Sequence, residues 1–398
     1  MLTQANAPGS RLGRSKIKII IAPQSFKGSA DAVKAALAME KGVKAAGPGI
    51  ETVLLPMADG GTGTVRAIVE ATRGRLIYTE ATGPLGDKVT AAWGITGDGS
   101  AAIIEMAAAS GLALVPAGKL NPMIATTYGT GELIKAALES GCRKIIVGLG
   151  DSATVDGGVG MARALGVKFL DRGGRQIGPG GGSLAGLRRI DISGRHPLAD
   201  EAEIIGACDV TNPLCGPNGA AAVYGPQKGA DPEMVAALDL ALENYAAVVK
   251  QDIGKDVKDI PGAGAAGGMG AGLVALLNAK LRRGIEIMCE VTGFDRQLEG
   301  ADLLLTGEGR LDYQTSFGKT VAGLALRAKA AGVPVVAICG ELGPGYRSSY
   351  EYGIGSAMSI LPGPRSLDEA MTDAEDLIAD AAERAVRLFA LTCRRKIS

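Results

Sequence analysis

Apolar positions in this chain recur as short β-branched runs that end in glycine. Each run gives way to a longer stretch with helical spacing. Residues 16–22 (KIKIIIA) form the first run, as expected for a strand buried on both faces. The loop PQSFKGS follows, with Ser29 a candidate N-cap. Residues 31–46 then place Val33, Ala36, Leu37 and Val43 near one face, which predicts a helix. Residues 52–55 read as a second strand, PMADGGTGT as its loop and 65–71 as a second helix.

The rhythm changes after that. Between about 75 and 105, the segments LIYTE, VTAAWGI and AAIIEMA are separated by GPLGD and TGDGS, the pattern of antiparallel strands joined by turns. A helix is predicted at 130–140, a strand at 144–147 and another strand at 203–208. Residues 173–195 are Gly-rich and poor in apolar positions, and 232–250 form a helix. The parallel rhythm returns with a strand at 303–306, a helix from about 319 and strands at 333–338 and 357–361. Ser366 and Glu369 have capping-box spacing. They open one long helix through Leu367, Met371, Ala374, Ile378, Ala381, Ala385 and Leu388, expected to pack on its own sheet.

The plan is therefore α/β. A discontinuous domain, residues 16–73 and 292–398, shares one parallel sheet, and a mixed α/β domain, 74–291, is inserted between its halves. Residues 1–15 read as a disordered tail. Ligand loops from both domains are expected to face a cleft.

Composition narrows the function. The chain has 398 residues, with 42 basic residues against 42 acidic, which argues against a nucleic-acid or membrane-surface partner. No apolar run is long enough for a membrane span. The six cysteines form no CxxC pair, so a reducing cytoplasm is the simple setting. The single histidine, His196, precedes a proline. A Ser-His-Asp triad or a His-rich metal site is therefore not expected. Glycine makes up 60 of the 398 residues, about twice the usual share, which points to many backbone-lined turns.

Chemistry concentrates at strand ends. Between the strand at 303–306 and its helix lie Glu308, Arg310, Asp312 and Lys319. A glycine-rich turn running into a helix N-terminus suits phosphate. Lys319 adds a cation, and Glu308 and Asp312 could hold Mg²⁺ or accept a proton. Lys27 and Asp59 mark the first two loops, Asp151 and Asp156 the loop after 144–147, and Asp209, Thr211 and Asn212 the end of 203–208. Gly262, Gly264 and Gly267 spell a formal dinucleotide fingerprint. The segment before them is polar and proline-broken, so tight helix packing or a backbone-lined pocket fits better than NAD binding. Eight residues separate Gly309 from Gly318, so there is no Walker A motif.

Taken together, the loops APQSFKGS (22–29), PMADGG (56–61), TGPLGDKV (82–89), SATVDGG (152–158), CDVTNPL (208–214), YGPQKGA (224–230), PGAGAAGGMG (261–270) and TGEGRLDYQT (306–315) followed by GK (318–319) resemble the glycerate kinase family, in its bacterial D-glycerate 2-kinase branch. The resemblance implies a flavodoxin-like domain split by an insertion and ATP-dependent phosphorylation of glycerate, with 2-phosphoglycerate as product and Mg²⁺ as cofactor. It leaves room for a homodimer. Phosphoryl transfer needs cations around the transferring group, Mg²⁺ and a carboxylate near the attacking hydroxyl. Lys27, Lys319 and Arg310 are the cation candidates, and Asp209 or Asp156 is the base. Asp209 and Glu308 are the metal candidates. Ser25, Asp59, Gly60, Gly61, Gly157, Gly158, Thr211, Asn212, Glu308, Asp312 and Lys319 are expected to bind substrate or phosphate. An Arg or a helix N-terminus could hold the glycerate carboxylate.

The chain departs from the family pattern at Gln24, Thr62, Asp151 and Val155. The family commonly has aspartate, glutamate, glycine and asparagine there. These changes fall on ligand loops, so they bear on substrate identity and rate more than on fold. They keep open a kinase for a related hydroxy acid, or a non-catalytic sensor derived from such a kinase.

Overall fold

The structure, a computed structural model, describes residues 16–313 and 320–392. Lys319 and the tail at 1–15 lie outside the described residues. Five parallel strands, Lys18–Pro23, Glu51–Leu54, Leu303–Gly307, Val335–Cys339 and Ser356–Ser359, make one sheet. Numbered along the chain they lie in the order 2-1-3-4-5, the flavodoxin-like doubly wound arrangement. The order reverses between Lys18–Pro23 and Leu303–Gly307, which pair from Ile19 opposite Leu303 to Pro23 opposite Gly307. The two halves of the chain meet at this switch point, where open α/β sheets bind ligands.

The second sheet has six strands: Arg75–Thr82, Lys88–Ile95, Ala102–Glu105, Lys144–Gly148, Glu203–Ala207 and Lys280–Arg282, adjacent in chain order. The first three are antiparallel, joined by the short turns seen in the sequence. From Ala102–Glu105 onward the pairing is parallel. That needs crossovers, and the helix Tyr128–Glu139 lies on the first of them.

Alternation along the strands sets the layers. Ile19, Ile21, Leu303 and Leu305 face the helices Ala32–Ala46 and Ala374–Thr392. Ile20 and Leu304 point the other way, onto the helices Thr64–Thr72 and Gly284–Thr292. Ile103, Ile146 and Ile205 of the six-stranded sheet press on those same two helices from beyond. One helical layer is therefore shared by both sheets. The outer face of the six-stranded sheet buries Ile104, Ile145, Val147 and Ile204 against a further helical layer.

Local details correct three expectations. Asp31 caps the helix Ala32–Ala46, accepting from the Lys34 N–H at 2.8 Å. Ser29 instead donates to the Phe26 carbonyl. The capping box at Ser366 forms, but the helix it opens is only Leu367–Thr372. A break at Asp373 separates it from Ala374–Thr392, where Ile378, Ala381 and Ala385 are buried; Leu367 of the short helix and Leu388 of the long one stay exposed. That helix packs on Ala32–Ala46 as well as on the sheet, so closely that a Cβ on Gly42 would sit 2.0 Å from the Ala379 carbonyl oxygen. Among the described residues, no helix is long and apolar enough to cross a membrane.

Candidate active site

Four strand ends open onto one cavity of about 450 Å³. Gln24, Ser25 and Lys27 follow Lys18–Pro23, and Asp59 and Gly61 follow Glu51–Leu54. Asp151 and Ser152 follow Lys144–Gly148, and Asp209 follows Glu203–Ala207. Both sheets thus contribute walls. Tyr224, Gln227 and Lys228 add to the lining, as do Ala265 and Ala266 at the start of the helix Ala265–Leu277.

Bare backbone lets the walls meet. The Gly150 N–H donates to the Gly60 carbonyl at 3.2 Å, and a Cβ on Gly148 would sit 2.3 Å from that same oxygen. The turn Gly307–Gly309 closes onto the first loop, with Gln24 N–H donating to the Gly307 carbonyl at 2.8 Å.

The carboxylates are fixed by specific donors. Asp59 accepts from the Gln24 side-chain amide at 3.1 Å and from the Gly61 N–H at 3.3 Å. Asp151 accepts from the Thr62 backbone and hydroxyl. The four residues Gln24, Asp59, Thr62 and Asp151, three of them departures from the family pattern, therefore form two pairs. Asp209 accepts from the Gly284 N–H at 2.9 Å. Asp209 remains open to the cavity, yet the protein packed around it pushes its carboxyl above the usual carboxylate range. The Gly284 N–H opposes that shift, and the Asp59 charge adds to it.

Other expected residues lie off the cavity. Asp156 is fully buried, and its carboxylate is taken up by Thr127 N–H and hydroxyl and by the N–H groups of Gly158 and Gly160. Burial raises its pKa, and those donors pull against the rise. It holds its own loop together rather than facing the cavity. Gly157 and Gly158 pack against the helix Ala265–Leu277. This also explains PGAGAAGGMG: a Cβ on Gly267, which has φ +68°, would sit 1.9 Å from the Thr154 carbonyl oxygen. The glycines serve close packing, and no strand precedes them. Thr211 and Asn212 are not on the wall, and Asn212 instead bonds the Asn218 carbonyl and the Tyr224 hydroxyl. Arg310 pairs with Asp312 at 3.4 Å and Glu341 at 3.7 Å. Glu308, Arg310 and Asp312 sit beyond the first loop, outside the cavity lining.

Lys228 is the residue the sequence reading passed over. Its side chain is fully buried, and Nζ donates to Ser152 Oγ and to the Thr154 carbonyl, each at 2.7 Å. Burial pulls the ammonium down to about 7, against the attraction of the Asp156 charge. The signal available was its place in YGPQKGA, among loops that otherwise carry ligand groups.

The donor set fits Mg²⁺. Asp59 and Asp209 bring hard carboxylate oxygens to one cavity, and the Asp59 charge disfavours that of Asp209. No cluster of three or more metal-ligating side chains is preassembled among the described residues. Mg²⁺ commonly uses one or two carboxylates and takes its other ligands from phosphates and water.

The model of the glycerate kinase family matches residues 19–390. A glycerate kinase of Halalkalibacterium halodurans is 51% identical over 364 residues, covering 92% of this chain and 96% of the relative. A glycerate 2-kinase of Escherichia coli K12 is 49% identical over 378 residues, covering 95% of this chain and 99% of the relative. A crystal structure from Salmonella typhimurium LT2 assigned as a glycerate kinase 2 superposes with a TM-score of 0.87 at 46% identity, covering 95% of this chain and 99% of that one.

Proposed function

The chain belongs to the glycerate kinase family, and from that premise we propose that it transfers the terminal phosphoryl group of ATP to D-glycerate, giving 2-phospho-D-glycerate. The observation that carries this reading is the shared cavity, which gathers Lys27, Asp59 and Asp209 from three strand ends on two sheets. Phosphoryl transfer asks for that set: a cation for the transferring group, a carboxylate for the hydroxyl and a carboxylate for a metal.

Lys27 stabilises charge on the phosphoryl oxygens from the loop at the switch point. Asp209 takes the proton of the attacking hydroxyl. Its position on the wall supports that role over Asp156, which lies off the cavity, and its raised pKa suits a base, which works best with a pKa near the operating pH. Asp59 would hold Mg²⁺, which when bound neutralises phosphate charge. The Gln24 amide and the Gly61 N–H fix that carboxylate in place. The described cysteines are all free thiols, which supports a cytoplasmic setting.

A related short hydroxy acid is the second reading, favoured by the Gln24–Asp59 and Thr62–Asp151 pairs at the cavity. The deciding experiment is ADP release with ATP, Mg²⁺ and D-glycerate, beside L-glycerate and other short hydroxy acids. NMR identifies the product. Turnover of D-glycerate to the 2-phosphate is expected. Turnover confined to another acid, or a 3-phosphate product, overturns the assignment.

A further inference from the structure

We propose that Lys228 anchors the carboxylate of the acceptor acid. The proposal deepens the reading above and rests on it. An ammonium carries three protons. Among the described residues, Nζ makes two hydrogen bonds, to Ser152 Oγ and the Thr154 carbonyl. Both partners are neutral, and the lysine is on the cavity wall. A buried charge needs an opposite charge. The carboxylate that acts on Lys228 through space is Asp156, and four donors already engage it. A counter-charge that keeps the amine protonated is then left to an anion bound in the cavity.

Placement favours the acceptor over the nucleotide. Lys27 stands on the loop of the five-stranded sheet, beside the glycine turn at the switch point, the kind of geometry that suits phosphate. Lys228 is fixed to the segment that follows a strand of the six-stranded sheet. Two cations therefore serve one cavity from different sheets, one for each anionic reactant. Burial holds the Lys228 ammonium near neutrality, so an anion beside it restores the charge. Glycerol or an amide would gain nothing from this group, so Lys228 makes the site select an acid.

The test compares D-glycerate with its neutral amide, D-glyceramide, in wild type and Lys228→Met. The ratio of their kcat/KM values is independent of how much variant folds. We expect the preference for the acid to fall by about 30-fold, the size of one charge-assisted hydrogen bond, with KM for ATP unchanged. An unchanged ratio overturns the proposal, as does a raised KM for ATP alone. Calorimetric titration of D-glycerate, with a non-hydrolysable ATP analogue present, separates the two readings. Binding that weakens in the variant while wild type turns over no glycerate keeps the anchor and removes the glycerate kinase assignment. Wild-type protein that binds no D-glycerate sinks both. If the variant does not fold, a wild-type crystal structure with D-glycerate decides: the carboxylate must lie within hydrogen-bond distance of Nζ.

Discussion

Asp151 accepts two hydrogen bonds from Thr62, one from its backbone N–H at 3.0 Å and one from its hydroxyl at 2.8 Å. The pair ties the loop of one sheet to the loop of the other at the cavity mouth. Asp151 does so with φ at 58°, a left-handed conformation that costs a non-glycine residue roughly 1 kcal/mol. Asp151→Gly relieves that strain and loses the bonds, so its melting temperature should stay within a few degrees of wild type. A double-mutant cycle with Thr62→Val should show coupling of about 1 kcal/mol. Additive effects would mean the pair transmits nothing between the loops.

Lys27→Ala and Asp209→Ala should each lower kcat by about 10²–10⁴-fold. Both side chains face the cavity rather than the core, so the melting temperature should barely move. Turnover close to wild type in either variant removes that residue from the chemistry.

Asp156→Ala should behave in the opposite way. It strands the buried N–H groups of Thr127, Gly158 and Gly160, at a cost on the order of 2–4 kcal/mol. Thermal melting should fall by several degrees, while KM for both substrates stays put in the folded fraction. Full stability with lost turnover would restore Asp156 to the catalytic set.

Lys228 also writes a pH signature. Its pKa falls from the ordinary 10.5 to about 7 on burial. Between those values the unfolded chain binds a proton that the native protein lacks, so stability rises with pH, by at most about 1.4 kcal/mol per unit. The penalty is full below pH 7 and fades above it. Urea midpoints of the ligand-free protein should climb from pH 7 to 9, and Lys228→Met should flatten that climb. Parallel slopes would show that the ammonium is not held as described.

The sequence made the strands of the five-stranded sheet legible. KIKIIIA and LLLTG are apolar on both faces, as a buried parallel strand requires, and each ends in a loop rich in turn residues. It misled where one residue type serves two ends. Asp156 precedes two glycines after a strand and so reads as a ligand, but its donors include Thr127, 29 positions away. Lys228 lies in a Gly/Pro loop whose sequence gives no sign that it is buried. Its burial depends on Ser152 and Thr154, some 75 positions distant. The break at Asp373 was hidden because apolar spacing continues across it, from Met371 to Ala374 and Leu377.

The helical layer that the two sheets share ties their fates together. The helices Thr64–Thr72 and Gly284–Thr292 bury Ile103, Ile146 and Ile205 from one side and Ile20 and Leu304 from the other. A fragment cut to the six-stranded sheet alone would turn those isoleucines outward as a contiguous apolar face, the kind of surface that drives aggregation. The six-stranded sheet is thus not a module that evolution or a cloning scheme can lift out without those two helices.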